Sequence, residues 1–135
     1  MKNEFVSYTQ ALALKKLGFD EPCFGRWLEP TELSISAPKD DEYCQKQHEF
    51  SWTALASLYQ QAFRWFREKH NLCGEVYTVN MGAIDYTFQI RDLYSEDVKH
   101  NNFEAYTGGY IGTFLTYEEA EQACLDKLIE ICKTK

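Results

Sequence analysis

The chain predicts an α+β fold, one domain over residues 1–135 in the order α-ββ-α-ββ(β)-α, with antiparallel hairpins and helices packed on one face. Three stretches carry that prediction. Ser51 to Lys69 (SWTALASLYQQAFRWFREK) sorts into two faces at 100° per residue, with an apolar arc of roughly 200°, wider than the stripe of a surface helix. A helix of that width packs on two sides, against a sheet and a second helix. Ile84 to Arg91 (IDYTFQIR) alternates apolar and polar without a fault, the pattern of a strand with one face on a core and one in water. Thr116 to Cys132 repeats apolar residues at helical spacing: Tyr117, Ala120, Cys124, Leu128 and Ile131.

In chain order, Ser7 opens the first helix, with Gln10 three residues on as the second half of a capping box. Leu12, Leu14 and Leu17 supply its apolar content, and Gly18 stands where a left-handed residue closes a helix. The helix is expected over about Tyr8 to Leu17. A first hairpin follows, Cys23–Leu28 against Leu33–Ser36, turning through Glu29-Pro30-Thr31-Glu32, where proline has the right fixed φ. Residues 37–49 (APKDDEYCQKQHE) are charged and lack a period, and read as a surface loop.

Ser51 is the expected N-cap of the central helix, which frays at His70-Asn71 and stops at Gly74. The second hairpin pairs Glu75–Val79 with Ile84–Arg91 through Asn80-Met81-Gly82. Residues 103–114 (FEAYTGGYIGTF) read as a third hairpin turning at Gly108-Gly109 or as one strand over Tyr110–Phe114. The last helix is capped by Thr116, with Glu119 in the capping-box position and charges at both ends that suit the helix dipole.

Three stretches resemble one family: EFVSYTQALALKKLGFDEPCFG at Glu4–Gly25, LYQQAFRWFREKHNL at Leu58–Leu72 and TYEEAEQACLDKLIEI at Thr116–Ile131. They are similar to small proteins of anaerobic gut bacteria, often encoded in phages and mobile elements. That family has no assigned activity, cofactor or catalytic residue. The matching stretches are helix cores and caps, so the resemblance implies an origin and no chemistry.

Composition bounds the rest. With 135 residues, 44% hydrophobic and 16% aromatic, the chain can build a core without disulfides or a metal. A net charge of −7 disfavours nucleic acid, whose phosphates need a basic face. Lys15-Lys16 and Arg64/Arg67 are the candidate basic patches, and both read as solvated helix faces. No apolar run approaches the ~18–20 residues of a membrane helix, and no signal peptide precedes the first helix. Five cysteines at 23, 44, 73, 124 and 132, without framework spacing, fit free thiols in a reducing cytoplasm.

Four constellations could carry chemistry. Cys44-x3-His48 and His70-x2-Cys73 form a zinc-like inventory. The intervening helix would separate the pairs by roughly 27 Å at 1.5 Å per residue. The favoured reading is one loop cysteine, one buried helix-end cysteine and two solvated histidines, with no metal and no cofactor. Cys73 with His70, or Cys23 with His100, could form a nucleophile pair, but no base, orienting group or oxyanion hole accompanies them, and no catalytic residue is assigned. Asp40-Asp41-Glu42 and Glu118-Glu119-Glu121 read as a solvated loop and a helix start, and Gly108-Gly109-Tyr110-Ile111-Gly112 lacks the Lys and Ser/Thr of a phosphate loop. Nine Tyr, nine Phe and three Trp exceed what one small core needs. Trp27, Tyr94, Tyr106 and Tyr110 are the expected interaction surface. The sequence therefore favours a non-enzymatic cytoplasmic module that binds a host protein, with a Cys/His-based enzyme or metal-binding protein as the alternative.

Overall fold

The structure, a computed structural model, describes residues 2–36, 44–80, 84–93 and 113–134. The architecture is α+β, with two antiparallel sheets and three α-helices among the described residues. The chain groups into two compact units, Met1–Ala62 and Phe63–Lys135.

In the first unit a short 3-10 helix, Lys2–Glu4, precedes α1, Tyr8–Lys16. The capping box forms as its residues require: Gln10 N–H donates to Ser7 Oγ at 3.2 Å, and Ser7 N–H donates to Gln10 Oε1 at 3.0 Å. Leu17 is the C-cap and Gly18 follows at φ 98°. Gly18 N–H reaches Lys15 O at 3.1 Å and Phe19 N–H reaches Leu14 O at 3.0 Å, the paired bonds of a Schellman close. Ala11 and Leu14 are buried, while Leu12 and Leu17 are half-buried. Gln10 is buried too, and its Oε1 also accepts from Tyr59 Oη at 2.8 Å.

Strands β1, Gly25–Glu29, and β2, Glu32–Ile35, form the expected hairpin with Trp27 opposite Leu33 and Gly25 opposite Ile35. The other edge of β1 takes β3, Ala54–Ala56, with Arg26 opposite Leu55. This corrects the expected central helix. Residues 53–57 are buried, with Ala54–Ala56 in a strand, and α2 begins only at Tyr59 and runs to His70. The physical reason is pairing. Ala54 to Ala56 fill the edge of β1, and just beyond them Ser57 O accepts Val6 N–H at 2.9 Å. The roughly 200° arc arose from projecting a buried strand onto a helical wheel together with a true helix.

In the expected surface loop, residues 45–49 are exposed or half-buried and form no helix or strand, and the correction is confined to Cys44. Residues 37–43, with Asp40, Asp41 and Glu42, lie outside the described residues. Cys44 is buried, and Gln47 ties the segment down: its N–H meets Asp20 Oδ1 at 3.2 Å, its Nε2 meets Phe19 O at 3.1 Å, and its Oε1 accepts Leu55 N–H at 3.0 Å.

The second unit holds the hairpin of β4, Leu72–Asn80, and β5, Ile84–Asp92, paired throughout from Leu72 opposite Asp92 to Asn80 opposite Ile84. Gly74 does not stop the helix. α2 closes at Asn71, which holds φ 59°, and Gly74 lies inside β4. Leu72, Gly74, Phe88 and Ile90 are buried on one face, which packs against α3, Tyr117–Thr134. In α3, Ala120, Cys124, Leu128 and Ile131 are buried as expected, joined by Leu125 and Ile129, whereas Tyr117 is exposed with its ring edge-on to Tyr86. Glu119 N–H donates to Thr116 Oγ1 at 3.2 Å, the expected cap. Of residues 103–114 only Thr113 and Phe114 are described: Phe114 bridges Tyr86 antiparallel, bonded at 2.7 and 2.9 Å. No helix among the described residues is long and apolar enough to cross a membrane.

Candidate functional site

The most chemically distinctive surface lies on the turn at residues 50–53, before β3. Phe50 and Trp52 stack on each other with ring centroids 4.8 Å apart and planes 24° from parallel, yet each is 55% exposed. The turn beneath them is held by two side chains of α1 and by its own closing bond. Lys15 Nζ donates to Phe50 O at 2.6 Å and to Thr53 O at 2.8 Å. Tyr8 Oη donates to Trp52 O at 2.9 Å, and Thr53 N–H meets Phe50 O at 3.4 Å. Lys15 is thus not a plainly solvated cation. Its three donors suit an ammonium between converging carbonyls, while burial, then the Arg26 guanidinium, lower its pKa.

Arg26, on β1, is fully buried, with Nη2 donating to Lys46 O. His48, on the segment leading into the turn, has its pKa lowered by burial first and then by Arg26, Lys15 and Lys46. The unfolded chain therefore takes up this proton at a higher pH than the folded one. Stability from neutral His48 is fully present above the ordinary histidine value of about 6.5 and is lost as pH falls through the lower folded value. Between about pH 7 and pH 5 the urea midpoint of the native protein should fall more steeply than that of His48→Gln. Parallel pH profiles would refute this account of the segment.

The expected interaction aromatics are placed differently. Trp27 is buried at 8% exposure, and its indole N–H donates to Val6 O at 2.9 Å, so it belongs to the interior rather than to a surface. Tyr94, Tyr106 and Tyr110 lie outside the described residues. Phe50 and Trp52 were missed because Ser51-Trp52-Thr53 has the composition of a helix start. The available clue was Ser51, whose hydroxyl suits a turn as well as a helix N-cap.

The Cys/His constellation resolves residue by residue. Cys44 is buried, its Sγ 3.4 Å from Ser36 Oγ. His70 is half-buried rather than solvated, its ring 4.8 Å from Trp65 and 5.6 Å from Phe66. Cys73 is on β4, not buried at a helix end, with Sγ 3.7 Å from Glu75 Oε1. Among the described residues no three His, Cys, Asp or Glu side chains gather as a metal group. Three of the thiols, Cys23, Cys73 and Cys124, are pushed away from the depressed pKa that activates a catalytic cysteine. Burial, then Glu21 and Cys44, push the Cys23 thiol up to about 12. Burial raises Cys124, and burial with Glu75 raises Cys73.

Comparison with protein-family models, curated proteins and solved structures returned no match.

Proposed function

We propose that the protein is a non-enzymatic cytoplasmic protein-binding module of phage or mobile-element origin, and that it engages a host protein through the Phe50–Trp52 turn. One observation carries this reading. Two large aromatic rings are held on the outside of the fold, stacked on each other, on a turn whose carbonyls are anchored by Lys15 and Tyr8. Exposed aromatic side chains on an ordered support supply contact area without a large ordering cost, which is how interface anchors work. The raised thiols favour a binding role over cysteine chemistry. The mobile-element origin rests on the resemblance of Glu4–Gly25, Leu58–Leu72 and Thr116–Ile131.

The test is affinity capture from lysate of the cell that carries the gene, with native protein beside Phe50→Ala and Trp52→Ala. Truncating a central anchor costs about 2 kcal/mol or more, roughly 30-fold in Kd. Because both rings are more than half exposed, the variants should keep their thermal midpoints while losing the captured protein. Undiminished capture by Trp52→Ala would overturn the assignment of this turn.

A further inference from the structure

We propose that Cys23 and Cys44 are a latent disulfide pair, joined when a small disulfide oxidant takes up their two electrons. Cys23 N–H donates to Cys44 O at 2.8 Å. Summed from Cα to N, across the bond to O and back to Cα, a single bond of that length holds the two α-carbons no more than about 6.7 Å apart. Disulfides span roughly 4.4–6.8 Å between α-carbons. Both side chains are fully buried in the same unit. Their sulfurs rest on weak partners, Cys23 Sγ on Glu21 O at 3.2 Å and Cys44 Sγ beside Ser36 Oγ at 3.4 Å. A disulfide is neutral and donates nothing, so joining them gives up only weak S–H bonds.

The step balances with oxidised glutathione as the oxidant. One thiol loses its proton and attacks the oxidant, whose S–S bond breaks, leaving a mixed disulfide and releasing one glutathione thiol. The second thiol loses its proton, attacks the protein-side sulfur of that mixed disulfide and expels the second glutathione. Two protons and two electrons leave the protein, and the oxidant becomes two thiols. Attack also requires access, and both side chains are fully buried, so the exchange is slow and the pair stays reduced through brief oxidation. Once formed, the bond closes the chain from 23 to 44, shrinks the unfolded ensemble and ties the approach to β1 to the segment that Gln47 anchors.

The full chain, held in glutathione buffers from wholly reduced to wholly oxidised until its thiol content is constant, is acid-trapped, digested and mapped by mass spectrometry without reduction. The expected result is a peptide linking Cys23 to Cys44 that grows with the oxidised fraction, disappears on reduction, persists in Cys124→Ser and accompanies a higher thermal midpoint. If, in oxidised glutathione alone, both cysteines stay free, carry separate glutathiones or link to other cysteines, the proposal fails. The native chain decides the matter by itself, so a Cys44→Ser variant that does not fold leaves the test intact.

Discussion

Phe66→Ala should lower the stability of the protein by ~3–5 kcal/mol, while Arg64→Ala on the same helix changes it by no more than about 0.5 kcal/mol. Phe66 is fully buried, with its ring edge-on to Trp65 at 5.1 Å and tilted against His70 at 5.6 Å. Truncation removes the transfer energy of the ring and leaves a cavity whose aromatic walls are too stiff to collapse fully. Arg64 is exposed, and contacts at an exposed guanidinium contribute little. Native proteins hold about 5–15 kcal/mol in total, so the first variant loses a large share of its stability. Urea midpoints with a common slope measure the difference. Equal midpoints would mean that the buried face of α2 contributes nothing to the fold, against its burial pattern of Ala62, Phe63, Trp65 and Phe66.

What was legible in the sequence was what short-range chemistry decides. The ends of α1 are written in Ser7, Gln10 and Gly18, each acting on backbone groups within five residues. The alternation of β5 is visible because one of its faces is buried, with Phe88 and Ile90 against α3. The stretch before α2 was illegible for the opposite reason. Every residue from Thr53 to Ser57 is buried, so neither period survives, and Ala-Leu-Ala favours a helix when nothing else speaks. Its strand partner β1 is distant in sequence, and on Leu55 the other bond comes from a side chain, that of Gln47, which no backbone period reveals. The site suffered from the same blindness. Composition announces surplus aromatics but not which ones stay outside. Trp27 goes inside because Val6 supplies a carbonyl for its indole, and Phe50 with Trp52 stays outside because Lys15 and Tyr8 hold their turn there.

Gly74→Ala inverts an ordinary rule, and the inversion tests the packing of the second unit. Inside a strand, alanine is normally better than glycine by roughly 0.5–1 kcal/mol, because glycine loses more backbone freedom on folding. Gly74 holds no left-handed conformation, so backbone strain does not oppose the change. Space does. A Cβ at Gly74 would stand 2.8 Å from Cys124 Sγ and 3.0 Å from Leu128 Cδ1, and both residues are fully buried on α3. Overpacking of this kind costs about 1–3 kcal/mol, which exceeds the gain, so Gly74→Ala should be destabilising. Cys124→Ala alone should also destabilise, since it empties the space of a buried sulfur. Together the two changes compensate: the methyl added on β4 enters the volume that the sulfur left on α3. The double variant should therefore lose less than the sum of the singles, with a coupling of about 0.5–3 kcal/mol in a double-mutant cycle read from urea midpoints. Strict additivity would show that β4 and α3 do not meet at this glycine, and the close approach of Cys124 and Leu128 to position 74 would have to be abandoned.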